Sequence, residues 1–344
     1  MRSYEVSRRL SIVHRMIMFG MISAVFGCSG TANPTTVLQS GADGFRVTPV
    51  SGGGWSTKTP MPTARGFLAS GVVNGILYAV GGATCPTCNL NTVEAYDPAS
   101  NTWTTKALMP TPRGGLAAGV INGILYAVGG LDANGLVLST VEAYDPTTDT
   151  WATKASMPKA RWGLAAGVAN GIFYAIGGSA SASYPTRSTK STVFAYDPVT
   201  DTWTEKASMP KARFGLAVAV VSGKLYAVGG NNYRGNMNTV QAYDPATNTW
   251  TTEASIPTPR TELAASVVNG RIFAVGGCNE KDCRIPSSTL EAYDPETNTW
   301  TSKTSMPTAR GILTAGVVKG ILYAVGGWCD YFTPCDTVEA FSPQ

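Results

Sequence analysis

The sequence is poor in histidine and in charge. Its one histidine is His14, and only 14% of its 344 residues are charged. His14 sits in an N-terminal leader, so a mature chain has no imidazole for general-base work or metal ligation. Ser-His-Asp hydrolysis and His-ligated copper or zinc are excluded with it. A basic field is also lacking. The net charge is +4, and residues 1–27 carry Arg2, Arg8, Arg9 and Arg15 against Glu5, which is +3 of it. The small remainder cannot neutralise many phosphates, so nucleic acid is not an expected partner. No apolar run reaches the roughly 20 residues that span a bilayer. With 44% hydrophobic residues, the chain can still build a core, and its 38 Gly and 21 Pro point to many turns.

Residues 1–27 read as a signal peptide, a cationic start followed by the apolar stretch from Met16 to Gly27. The run Val25-Phe26-Gly27-Cys28-Ser29 resembles the lipobox of bacterial lipoproteins, with Phe26 bulkier than that pattern favours. The expectation is a lipidated Cys28; the rival is plain cleavage, for example after Ala32. Residues 28–54, rich in Ser, Thr, Gly and Pro, read as a flexible tether. The chain is then exported, in the bacterial envelope or secreted, and membrane contact is expected only through the lipid.

From Trp55 onward the sequence repeats. Arg65, Arg113, Arg161, Arg213, Arg260 and Arg310 recur with a period of 47 to 52 residues. Gly-Gly begins 16 residues after each, at Gly81, Gly129, Gly177, Gly229, Gly276 and Gly326. An aromatic follows (Tyr96, Tyr144, Tyr196, Tyr243, Tyr293 or Phe341), and seven residues after each Tyr stands Trp103, Trp151, Trp203, Trp250 or Trp300. Each copy parses into four short strands. In the second they are Leu116 to Ile121 (a), Ile124 to Val128 (b), Thr140 to Tyr144 (c) and a strand d around Trp151. Asn122-Gly123 is a hairpin signal between a and b, and Pro in every copy argues against helices.

This pattern resembles the kelch β-propeller family over residues 55–344. The resemblance implies an all-β, six-bladed propeller with four antiparallel strands per blade. The last copy stops after its strand c, and the array begins with an orphan strand d at Trp55. Trp55 is therefore expected to complete the C-terminal blade and close the ring.

Antiparallel alternation puts the b–c and d–a loops on one face. Length varies only between Gly-Gly and the aromatic, at 14 to 19 residues, so that face is the expected binding surface. The six Arg could form a cationic ring, or bond within or between blades to Glu94, Glu142, Glu291 and Glu339, with Gln241 and Phe194 in the same slot elsewhere. Residues that break the repeat are the better site candidates: Phe67, Trp162, Phe214 and Glu262 beside the d–a loops. They would either contact a ligand or pack beneath the long loops. The b–c loops add Tyr184, Arg187, Tyr233, Arg234, Trp328, Asp330, Tyr331 and Phe332, the last group as an exposed aromatic patch.

Setting Cys28 aside, Cys85 and Cys88, Cys278 and Cys283, and Cys329 and Cys335 lie two to a loop. In an exported chain they are expected as three local disulfides. A redox motif at Cys85-Pro-Thr-Cys88 and a shared zinc site are the rivals. The functional expectation is a monomeric binding or scaffold protein for a protein or a glycan, with no cofactor and no metal. The alternative is a carbohydrate-acting kelch enzyme resembling the sialic-acid mutarotases, for which Glu262 with Arg260 is the one visible acid–base pair. Galactose-oxidase-like chemistry is not implied, because its copper needs histidine.

Overall fold

The computed structural model describes residues 53–182, 188–280, 283–330 and 333–343. These residues form six four-stranded antiparallel sheets, one per sequence repeat. In the second sheet the strands are Ala117–Ile121, Ile124–Val128, Val141–Asp145 and Thr150–Lys154, paired in sequence order. The expected strands thus hold to within a residue or so. Asn122 and Gly123 both have positive φ, +50° and +81°, the backbone a two-residue hairpin of matching twist requires.

The chain is a six-bladed β-propeller. Its cores lie between blades rather than inside one sheet. Leu125, Ala127 and Tyr144 of the second blade pack with Tyr78, Val80 and Ala95 of the first. The small residues of strand a have their reason here. A Cβ on Gly119 would stand 2.9 Å from Val168 Cγ2 of the next blade, and one on Gly167 2.8 Å from Val220 Cγ2. The inner strands wedge together, and a larger side chain would spread the ring.

Each strand-d tryptophan reaches back to the preceding linker. Trp151 Nε1 donates to Ala107 O at 2.9 Å, and Trp203 Nε1 to Ala155 O at 2.8 Å. The tyrosine beside it donates to the c–d turn, as Tyr196 does to Asp201 Oδ1 at 2.7 Å. The sixth blade is assembled from both ends of the propeller. Gly54–Lys58 pairs with Val338–Ser342, with Trp55 opposite Phe341, and Trp55 Nε1 donates to Thr304 O at 2.8 Å. The expected closure is the one observed, starting one residue earlier than Trp55. Phe341 replaces tyrosine in the one blade where no c–d turn follows to accept a hydroxyl.

Candidate functional site at the channel mouth

The residue two places after each blade arginine forms a ring at the b–c and d–a end of the propeller. Gly115 N donates to Phe67 O, Gly163 N to Gly115 O and Gly215 N to Gly163 O, each at 2.8 Å. Glu262 N donates to Gly215 O at 2.7 Å, Ile312 N to Glu262 O at 2.9 Å, and Phe67 N to Ile312 O at 3.1 Å, which closes the circle. All six residues have left-handed φ, between +52° and +61°. Glycine adopts this without strain. Phe67, Glu262 and the β-branched Ile312 hold it at a cost. Those three stand on consecutive blades and the three glycines on the others, so the mouth is asymmetric on a nearly symmetric scaffold.

Below the ring a channel of about 190 Å³ runs between the inner strands. Ser70, Ala118, Ala166, Val218 and Ala265 line part of it. Each inner strand pairs on one side only, so its other edge turns unpaired carbonyls and amides toward the channel. Glu262 is the single ionisable side chain of the lining. Its carboxyl lies over Gly215, where a Cβ would come within 2.7 Å of Oε1. Loss of solvation pushes this carboxyl up to about 7.

The arginines do not form a cationic ring. Arg65 pairs with Glu94; Arg113 meets Glu142 at 2.8 Å, Arg260 meets Glu291 at 2.7 Å and Arg310 meets Glu339 at 2.8 Å. Arg213 donates to Gln241 Oε1 at 2.9 Å. All five also donate to carbonyls of their own blade, as Arg113 does to Ala127 O at 3.1 Å. Arg161 differs. Phe194 fills the acceptor slot, so its guanidinium sits 6.0 Å above that ring and, among the described residues, donates to Ala160 O and Thr192 Oγ1 alone. Because Arg260 is held by Glu291, the acid–base pair of Arg260 with Glu262 is not formed.

The aromatics make a rim around the mouth. Trp328 lies 5.4 Å from Phe67, Phe67 6.4 Å from Trp162, and Trp162 5.3 Å from Phe214, between ring centroids. Phe67 is half-buried, whereas Trp162 (7% exposed), Phe214 (1%) and Trp328 (5%) are covered. Trp162 covers Gly115, Phe214 covers Gly163, and Trp328 covers Gly66, where a Cβ would overlap its indole. The expected exposure of Trp328 is therefore corrected: the ring fills space that Gly66 leaves open.

Two kinds of comparison bear on the family. A family model described as KLHDC2/KLHL20/DRC7 Kelch-repeats domain matches residues 163–344. The Kelch motif matches residues 64–110 and 112–158. The chain belongs to the kelch-repeat family. No curated protein matched this kelch chain. Among solved structures, "Structure of YjhT" superposes with a TM-score of 0.70 at 18% identity, covering 80% of this chain and 94% of that one. At that identity the likeness is one of fold.

On the kelch scaffold the loop candidates separate. Tyr233 is 50% exposed at the tip of the hairpin Asn231–Asn232 and Gly235–Asn236, with the Arg234 guanidinium 5.3 Å over its ring. Asn236 Nδ2 donates to Cys278 O at 2.9 Å, tying this loop to the next blade. Asp330 is exposed. Tyr184, Arg187, Tyr331 and Phe332, like Cys28, lie outside the described residues. Cys85–Cys88, Cys278–Cys283 and Cys329–Cys335 form disulfides. Cys278 and Cys283 pack with Ile312, Trp328 and Phe67 beside the ring. The sequence held one signal for the ring, the alternation of glycine with Phe67, Glu262 and Ile312 two places after arginine. The hydrogen bonds that join these positions are visible only in three dimensions.

Proposed function

We propose that this kelch propeller is a binding protein that presents the channel mouth and its b–c loops to a protein or a glycan. The asymmetry of the mouth carries the reading. Three strained, side-chain-bearing positions interrupt a ring where glycine would fit without cost, and strain retained on one half of a face suits a contact surface. The disulfides on blades 5, 6 and 1 stiffen the loops above that same half, and preorganised loops bind with less ordering cost. Arg260, which a ring-opening enzyme would need beside Glu262, is occupied by Glu291, so binding stands ahead of catalysis. Disulfides fit an exported protein, and we place the chain outside the cytoplasm, anchored through Cys28. Mass spectrometry of the native N-terminus tests the anchor; an unmodified terminus at Asn33 ends that part of the reading. Glycan-array and pull-down experiments with the full chain test the function. Ligands lost together on Phe67→Ala and Tyr233→Ala support it, and a ligand indifferent to both places the binding surface elsewhere.

A further inference from the structure

Glu262 is the unusual group of this molecule. Its carboxyl makes no hydrogen bond or ion pair among the described residues, and it is only partly exposed at the channel mouth. The blade arginines nearest to it in sequence and on the two adjoining ring positions have other partners. Arg213, on the Gly215 side, donates to Gln241 and to carbonyls of its own blade. Arg260, two residues before Glu262, is held by Glu291, and Arg310, on the Ile312 side, by Glu339. Among the described residues, none of these arginines therefore serves as counterion to the carboxylate. The other hydrogen-bonding groups of the channel are edge groups of the inner strands without a strand partner, of which Ala315 O accepts from Ser70 Oγ at 3.2 Å, and the hydroxyls of Ser70 and Thr314, 2.6 Å apart.

We propose that the channel mouth binds a protonated primary amine, with Glu262 as its counterion and inner-strand carbonyls as its further acceptors. This deepens the binding reading, on which it rests for the face but not for the ligand. A primary ammonium has three donors and no acceptor, and it is compact enough for a narrow channel. One carboxylate plus surrounding carbonyls offers the complementary set. A divalent cation fits less well: it calls for several anionic or carbonyl oxygens in fixed geometry, and no cluster of three metal-binding side chains occurs among the described residues. An anionic ligand would meet an uncompensated negative charge. The ammonium could come from a lysine side chain or from an amino sugar, which share this chemistry.

The test is calorimetric titration of the full chain with n-butylammonium, glucosamine, N-acetylglucosamine, and a lysine peptide with and without Nζ acetylation. Free amines should bind and their acetylated forms should not; whichever of glucosamine or the lysine peptide binds more tightly identifies the source. Glu262→Gln should weaken amine binding at least tenfold with its melting temperature at pH 4 unchanged. Affinity for n-butylammonium, which stays protonated throughout, should rise with pH between 6 and 8, because a cation needs the ionised carboxylate. Equal binding of amine and acetyl amide, or a folded Glu262→Gln chain with unchanged affinity, overturns the proposal. So does a failure of n-butylammonium to bind the wild-type chain. If an array ligand is lost on Phe67→Ala but not on Glu262→Gln, the amine falls and the face stands. If amines bind through Glu262 while no array ligand depends on Phe67 or Tyr233, the reverse holds.

Discussion

Trp55 and Phe341 face each other across the closure of the ring, their centroids 5.2 Å apart. Trp55 also supplies, for the sixth blade, the hook that the strand-d tryptophan of each other blade makes to the preceding linker. Its indole donates to Thr304 O at 2.8 Å. Trp55→Ala should therefore remove packing against Phe341 and unhook the last linker, lowering stability by roughly 3 kcal/mol. Phe341→Tyr should bring none of the gain that a tyrosine hydroxyl gives elsewhere, since no turn residue stands ready to accept from it. Urea denaturation of both variants checks this. A Trp55→Ala midpoint equal to wild type would mean that the closing strand contributes nothing.

The buried arginines are not equivalent. Arg113 is fully covered, and its removal leaves Glu142 buried with only Thr111 as a donor, at 2.7 Å. Breaking such a pair costs about 3–5 kcal/mol. Arg161 bonds to no buried carboxylate among the described residues and feels only the Glu205 charge at longer range, so Arg161→Ala forfeits two hydrogen bonds, that attraction and a contact with Phe194, about 1–2 kcal/mol. Denaturation curves of Arg113→Ala and Arg161→Ala should differ accordingly. Equal losses would mean that the ion pair adds nothing beyond the hydrogen bonds to carbonyls.

These two cases show what a linear reading of the chain can reach. Arg113 and Glu142 recur in register, and so do Trp55 and the missing strand d, because each is set by spacing within one repeat. The cover over the mouth is different. Trp328 reads as exposed when it is judged by its loop, but the space it fills belongs to Gly66 on the adjoining blade, distant in sequence. The ring hydrogen bonds likewise join one blade to the next, and no spacing within a repeat encodes them. Phe214 is a third case: it breaks the repeat as a contact residue would, yet it is buried because Gly163 makes room for it.

That last pairing can be tested directly. A Cβ on Gly163 would stand 2.6 Å from Phe214 Cδ2, and Gly163 has φ of +57°. Gly163→Ala should cost roughly 2 kcal/mol from overlap and backbone strain together. Phe214→Ala should cost about 3–4 kcal/mol as a core truncation. In the double variant the overlap disappears and only the strain remains, so the combined loss should fall short of the sum by about 1 kcal/mol. Strict additivity would show that the phenyl ring does not occupy the space above Gly163.

The final expectation concerns pH. Burial raises the Glu262 carboxyl to about 7 from its ordinary 4.5. The folded state then holds a proton that the unfolded state has released, everywhere between those two values. Stability consequently falls as pH rises through that window and levels off above it. Below about pH 4.5 both states are protonated and the group contributes no such penalty. Glu262→Gln removes the titration and keeps the shape, so wild type and variant should melt together at pH 4. At pH 8 the variant should be the more stable, by roughly 2 kcal/mol, because channel water still solvates part of the carboxylate. Calorimetric melting across this range decides the point. If the two proteins keep a constant difference from pH 4 to pH 8, Glu262 titrates like an exposed side chain, and the mouth of the channel is open to bulk water.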